Sequence, residues 1–314
     1  MRYRTATVAA MVVTLGVAAA GCGRYSLSAL KAQKAYKDAN EAYKGSDWRN
    51  AAGRYEYVLQ QDPSRTEVYF FLANSYDNAY KPARAGEPDN DALIQKAIEN
   101  YRKAAELDQN PQMKTLAMQY LVAAYGPDKL NDPTQAEPIV LEMVKLAPND
   151  PGNYFALGQI YENAGRYEEA EQALLKAREA NPNDVTVYVQ LSGFYNRQGD
   201  FEKTMEALHK AADIKPDDPQ GHQLVSTYYW EKAQKDHRLN NAQKKDYIMK
   251  GIEAADRALA LNPDYIEALT YKNILLRMQG NLETDMEKRN QLYTEADQLR
   301  NKAMDLSKRK TSGT

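Results

Sequence analysis

Residues 150–182 read DPGNYFALGQIYENAGRYEEAEQALLKAREANP, and residues 184–216 read DVTVYVQLSGFYNRQGDFEKTMEALHKAADIKP. One pattern runs through both. In the first stretch it is Tyr154, Leu157, Gly158, Tyr161, Gly165, Tyr167, Ala170, Leu174, Ala177 and Pro182. In the second it is Tyr188, Leu191, Ser192, Tyr195, Gly199, Phe201, Thr204, Leu208, Ala211 and Pro216. Each matched pair is 34 residues apart (188 − 154), and Pro148 precedes Pro182 by the same interval.

The spacing dictates helices. Tyr154, Leu157, Gly158 and Tyr161 follow i, i+3, i+4, i+7 and form one stripe on a first helix. Gly165 can adopt a positive φ and end that helix in a tight turn. Ala170, Leu174 and Ala177 form the facing stripe of a second helix, and Pro182 breaks it. Gly158 and Ala170 are small where two helix axes must approach closely. One such pair cannot bury both stripes, so the units must stack into a continuous core. The pattern of aromatic, Leu-Gly, Tyr, Ala, aromatic and Pro at this period resembles the tetratricopeptide repeat. The resemblance implies an all-α fold, a right-handed superhelical solenoid of antiparallel helix pairs. About seven repeats can be aligned, with insertions in the second, sixth and seventh.

The first repeat runs from about Ser28 to Pro63, with Ala39 and Ala42 in a degenerate first stripe. In the second, Ala97 follows Tyr76 by 21 residues, where Ala170 follows Tyr161 by 9. The excess of 12 contains Pro82, Gly86 and Pro88 and reads as a loop. The third carries a two-residue insertion around Pro127 and Pro133. In the sixth, Trp230 to Lys250 lacks Gly and Pro and reads as two lengthened helices in a protruding hairpin turned near Asn240. A long last helix over Glu283 to Lys308 closes the stack, with Met286, Leu292, Tyr293, Ala296, Leu299, Ala303 and Leu306 inward.

The amino terminus has its own signature. Arg2 and Arg4 precede an apolar run, Val8 to Ala20, too short for a permanent span. The run ends at Gly21 and Cys22, the single cysteine. This resembles a bacterial lipoprotein signal, which implies cleavage before Cys22 and its acylation with fatty chains such as palmitate. The alternative is an ordinary signal cleaved after Ala18-Ala19-Ala20, leaving a lone exposed thiol. By resemblance, Gly23 after the cysteine implies the outer membrane, facing the periplasm; an inner-membrane lipoprotein and a soluble periplasmic protein are the other placements. The expected organisation is a signal over 1–21, a short tether over 22–27, a solenoid over 28–308 and a basic disordered tail over 309–314.

A charged fraction of 27% with a net charge of −2 argues against a nucleic-acid surface. No nucleophile, zincin or phosphate-loop motif is present, and His209, His222 and His237 do not share metal-ligand spacing. Asp89-Asn90-Asp91 lacks the glycine and distal Glu of a calcium loop. The expectation is therefore no enzyme and no cofactor. By resemblance, the first helices line a concave groove, and the residues beside the packing stripe point into it. These are Phe70, Asn74, Gln119, Phe155, Gln159, Asn163, Val189, Asn196, Arg197, Gln223 and Trp230. Amides can hydrogen-bond a peptide backbone and aromatics can anchor apolar side chains. The reading is a membrane-anchored interaction scaffold of the bacterial cell envelope that holds a protein partner in an assembly complex. A second reading is a self-assembling envelope component that uses the 230–250 hairpin. Tyr is abundant, 23 against 5 Phe, and the repeats place it at packing positions such as Tyr69, Tyr76 and Tyr101.

Overall fold

The computed structural model describes residues 27–312. The signal over 1–21, Cys22 and the tether up to Ser26 lie outside the described residues. Everything described is helix or connecting turn, and the chain divides into two compact units at Ala147 and Pro148.

The first unit holds three helix pairs. They are α1 (Leu27–Lys44) with α2 (Trp48–Gln61), α3 (Val68–Ala79) with α4 (Pro88–Leu107), and α5 (Pro111–Ala124) with α6 (Pro133–Leu146). The second unit holds four: α7 (Pro151–Asn163) with α8 (Tyr167–Ala180), α9 (Val185–Arg197) with α10 (Phe201–Ile214), α11 (Pro219–Lys235) with α12 (Asn241–Leu261), and α13 (Ile266–Leu282) with α14 (Met286–Ser312).

Each pair begins and turns for local reasons. Asp150, Asp184 and Asp218, again 34 residues apart, accept the backbone N–H of Gly152, Thr186 and Gln220 at 2.9, 2.8 and 2.9 Å. They cap α7, α9 and α11 by satisfying donors the first turn leaves free. Between the helices of a pair, Gly165 and Gly199 sit at φ +72° and +76°. The equivalent residue of the first pair is Ser46, also at positive φ (58°), where a side chain costs about 1–2 kcal/mol.

Within the regular pairs the predicted stripes form the core. Ala170, Leu174 and Ala177 of α8 are buried against Tyr154, Leu157 and Tyr161 of α7. A Cβ built on Gly158 would stand 3.2 Å from Leu174 Cγ, tighter than ordinary contact. The tyrosines do more than fill space. Tyr154 and Tyr188 donate their hydroxyls to the carbonyls of Pro148 and Pro182, at 3.0 and 2.9 Å, tying each first helix to the segment that enters it.

Tyr195 bridges repeats. It donates to Glu171 of the preceding pair at 2.9 Å. Lys203 of its own pair reaches the same carboxylate at 2.9 Å and lies 4.9 Å from the Tyr195 ring centre. The first unit repeats the arrangement: Tyr76 donates to Glu56, and Lys96 sits 4.9 Å from the Tyr76 ring centre and 3.4 Å from that carboxylate. The Lys203 hydrogen bond, helped by Tyr195, holds the Glu171 carboxyl below its ordinary range, and burial followed by Glu171 pushes Tyr195 up.

The insertions depart from their sequence reading. The excess in the second repeat is only partly a loop. After a short 3₁₀ turn (Pro82–Arg84), Pro88 starts α4 early, since a proline is tolerated where no N–H partner exists. Asn90 then clamps the turn, accepting from Lys81 N at 2.9 Å and donating to the carbonyls of Lys81 and Arg84 at 3.0 Å each. Asp91 accepts from Gly86 N. The acidic triplet is a brace for the loop.

The sixth repeat does form two lengthened helices, with Asn240 and Gln243 making a reciprocal cap at the turn. They do not stand free. Ala233 and Ile248 are buried with Leu275 of a lengthened α13, and Trp230, Tyr247, Ile252, Met278 and Leu282 pack around them. The last helix starts at Met286, after a turn over 283–285, because Asp285 accepts from Glu287 N at 2.9 Å. Met286 is consequently exposed, while Ala296 and Ala303 are buried. The helix continues to Ser312, past the boundary expected at 308.

Two tests follow from this packing. Gly158→Leu should overpack α7 against α8 and cost about 1–3 kcal/mol, read as a lower midpoint in chemical denaturation; an unchanged midpoint would show that the helices are not held at this distance. Glu171→Gln should separate from the parent in a pH-dependent way. A carboxyl depressed in the folded state stabilises above its unfolded value of about 4.3 and loses that contribution as pH falls through the folded one. The melting-temperature gap between parent and variant should be widest near neutrality and shrink toward about pH 3. A gap that does not vary with pH would remove the ionic bridge from the account.

Candidate partner-binding site

The eleven residues expected to line a groove separate into accessible and interior sets. In the first unit, Phe70 and Asn74 are each 5% exposed. Phe70 packs edge-on against Tyr120 and Phe71 and lies 5.8 Å from the Tyr101 ring. Asn74 accepts from the Tyr43 hydroxyl at 2.6 Å and donates to the Tyr101 hydroxyl at 3.2 Å.

This polar chain continues. Tyr101 donates to Asp77 Oδ2 at 3.2 Å, and Lys129, from the loop after α5, pairs with Asp77 Oδ1. Asp77 is almost wholly buried, and its two oxygens are each satisfied, one by a cation and one by a hydroxyl. The loop that carries Lys129 therefore closes over α3, from 52 residues away in sequence. Burial and the Asp77 carboxylate push the Tyr101 hydroxyl far up, so it remains a donor. Of the candidates in this unit, Gln119 alone is exposed.

The second unit keeps more of its first-helix face open. Gln159, Asn163 and Asn196 are exposed, and Phe155 and Val189 are half-buried. Gln159 donates to Asn163 at 2.7 Å along α7. Arg197 is not a free cation. Its Nε and Nη2 donate to the two oxygens of Glu162 at 2.7 and 2.8 Å, a bidentate pair that joins α9 to α7.

Gln223 and Trp230 leave the face. Gln223 is 8% exposed and donates to Thr227 at 2.7 Å. Trp230 meets Tyr271 edge-on at 5.4 Å, within the cluster built by the lengthened helices.

Beside Asn196 lies a cleft of about 460 Å³, lined by Phe201, Tyr228, Lys232, Lys235 and Arg238 among others. Its charges are mostly compensated: Asp236 takes Arg238 and Lys232 at 2.8 and 2.9 Å, and Lys235 pairs with Glu231. Those bonds, Arg238 first and Lys232 second, hold the Asp236 carboxyl far below its usual range. The cleft extends the open face from α9 to the end of α11. Asn196 was a groove candidate and Phe201 a signature residue; Lys232, Lys235 and Arg238 were missed because they belong to the inserted segment, which has no counterpart in the regular repeats. His209 lies outside it, 3.4 Å from the Tyr229 hydroxyl, with burial lowering its pKa. Among the described residues, no three His, Cys, Asp or Glu side chains are grouped to hold a metal ion, and no helix is long and apolar enough to cross a membrane.

The family profile described as Tetratricopeptide repeat matches residues 129–192 and 164–228. No curated protein sequence matches the chain. Among solved structures, the C-terminal part of a TPR repeat-containing protein from Cytophaga hutchinsonii is 16% identical, covers 86% of this chain and 98% of its own length, and superposes with a TM-score of 0.56. A tetratricopeptide repeat protein from Parabacteroides merdae is 13% identical over 85% of this chain and 99% of its own, with a TM-score of 0.47. YrrB, described as a TPR protein with an unusual peptide-binding site, is 22% identical over 58% of this chain and 85% of its own, with a TM-score of 0.40. At such identities a likeness speaks to the fold alone, and the first of these agrees with the helix pairs described above. With the repeat signature at a 34-residue period and its residues packed as inter-helix contacts, residues 129–228 are tetratricopeptide repeats, and the helix pairs on either side share that fold.

Proposed function

We propose that this protein is a membrane-anchored interaction scaffold of a bacterial cell envelope, which holds a segment of a partner protein against the first-helix face of its second unit. The observation that carries the reading is the open row of Gln159, Asn163 and Asn196 beside the cleft at Tyr228 and Arg238. These side chains take no part in the inter-helix core. An amide offers both a donor and an acceptor, which suits it to the backbone of an extended or helical segment. The fold supports protein partners; the anchoring half of the proposal rests on Arg2, Arg4, the Val8 to Ala20 run and Cys22 in the sequence. Outer-membrane attachment facing the periplasm is the placement we favour, on Gly23 after the cysteine.

Self-assembly through the 230–250 hairpin gains no support. Its apolar side chains are spent on α13, leaving Met249 as its one large exposed hydrophobic among the described residues.

Photo-crosslinking residues placed at 163 and 196 in the intact protein should capture a partner from membranes, and the same residues at 176 and 179 on α8 should not. Against the captured partner, Asn163→Ala with Asn196→Ala should weaken binding by about 0.5–1.5 kcal/mol per lost hydrogen bond, with the melting temperature nearly unchanged. Capture through 176 and 179 alone would place the partner elsewhere. Cys22→Ser should abolish acylation, read as the loss of fatty chains from the intact mass; a parent protein without acyl chains on residue 22 would refute the anchor.

A further inference from the structure

We infer that the outward face of α1 is a second membrane contact, one that binds an anionic phospholipid surface. The inference rests on the anchored reading for its geometry. Four residues, Gly23 to Ser26, separate Cys22 from the first residue of α1. At about 3.6 Å per residue, Leu27 can lie no farther than roughly 18 Å from Cys22. An acylated Cys22 would thus hold the start of α1 at the headgroups.

The chemistry of α1 suits that place. Ala32, Ala35 and Ala39 are its buried stripe. On the opposite side Leu27 and Leu30 are 68% and 59% exposed. Lys31, Lys34 and Lys37 are exposed between and beyond them. None of the three forms an ion pair among the described residues. From Cys22 to Lys37 the chain carries Arg24 and these three lysines and no acid. The nearest carboxylate along the helix, Asp38, is held by Arg54 at 3.2 Å; Glu41 follows one turn later. The groove beside this face is lined by Lys31, Lys34 and the Arg54–Asp38 pair, with Tyr57 on its α2 side.

Leucines beside unpaired lysines at the start of a helix are what an interfacial segment needs. The leucines enter the boundary of the acyl chains, and the lysines meet the phosphates. A continuous anionic headgroup layer offers a phosphate to each of the three cations at once, whatever their spacing.

The test uses the unacylated Cys22→Ser protein, full length after signal removal, so that the face is read without the lipid anchor. It should float with vesicles of equal parts phosphatidylcholine and phosphatidylglycerol, fail to float with phosphatidylcholine alone, and be released by high salt, which screens the charges. Lys31→Gln, Lys34→Gln and Lys37→Gln together should lower the partition constant by about a hundredfold, roughly fivefold per lysine. Leu27→Ser with Leu30→Ser should weaken it independently. All five positions are exposed, so circular dichroism should be unchanged. Equal flotation with both vesicle types, or none with either, overturns the inference. So does a lipid-free dimer that the leucine changes dissolve, which would make the face a contact between two copies. If the parent protein carries no acyl chain yet the Cys22→Ser protein still floats with the anionic vesicles, the anchor is wrong and the basic face stands.

Discussion

Two helices can lie close along their length only where one of them presents almost no side chain. Four such places in the second unit set the spacing of everything around them. Gly158 leaves room for Leu174, Gly221 for the backbone of Ala212, Gly251 for Leu275 and Tyr229, and Gly280 for the ring of Tyr293; a Cβ on either of the last two would come within 3.0 Å of the neighbouring side chain. Because the axes are close, the alanines of the second helices are fully covered, and the larger residues of the first helices are left to bridge to the next pair. That division makes a single pair unstable alone, since its bridging residues have nothing to cover them.

The bridging role explains why tyrosine outnumbers phenylalanine so heavily. A buried ring at these positions reaches beyond its own pair, and its hydroxyl arrives at a defined acceptor: the Pro148 and Pro182 carbonyls for Tyr154 and Tyr188, the carboxylates of Glu56 and Glu171 for Tyr76 and Tyr195. Phenylalanine would bury the same area and forfeit the hydrogen bond, which at Glu56 and Glu171 is charge-assisted. The lysine over the ring adds a cation to the same carboxylate, so one bridge combines apolar burial, a charge-assisted hydrogen bond and an ion pair. The sequence reading saw these tyrosines as packing residues and missed their hydroxyl partners, because Glu56 and Glu171 lie 20 and 24 residues away on another helix.

Helix pairs, their order and the stripes in the regular repeats were legible because period and burial are local in a repeat. So were the turn at Asn240, which caps α12, and the lengthening of α11 and α12. What was not legible is which neighbouring side chains cover a face. Phe70 and Asn74 occupy the same register as Phe155 and Gln159, yet Phe70 is buried under Tyr120 of the next repeat and Asn74 between the hydroxyls of Tyr43 and Tyr101. Trp230 is a groove position by register, but α13 is lengthened along with α11 and α12 and takes it into a core. Register says which side of a helix a residue occupies. Whether another segment lies against that side depends on contacts across tens of residues, which a 34-residue period does not encode.

The open face in the second unit has a chemical character of its own. Its one arginine is bidentate to Glu162, a carboxylate that is itself mostly buried, and the charges of the neighbouring cleft are paired with one another. A partner carrying an isolated charge would have to compete with these intramolecular pairs, each already at hydrogen-bond distance, and would strand the displaced group in a drier site. A partner presenting peptide groups and uncharged side chains meets no such opposition. Bound as proposed, it would add hydrogen bonds to Gln159, Asn163 and Asn196 and, by excluding water, strengthen the ion pairs that already span α7 and α9. Partner binding and the cohesion of the two repeats would then favour each other, which is how a stack built from nearest-neighbour contacts can respond to what it holds.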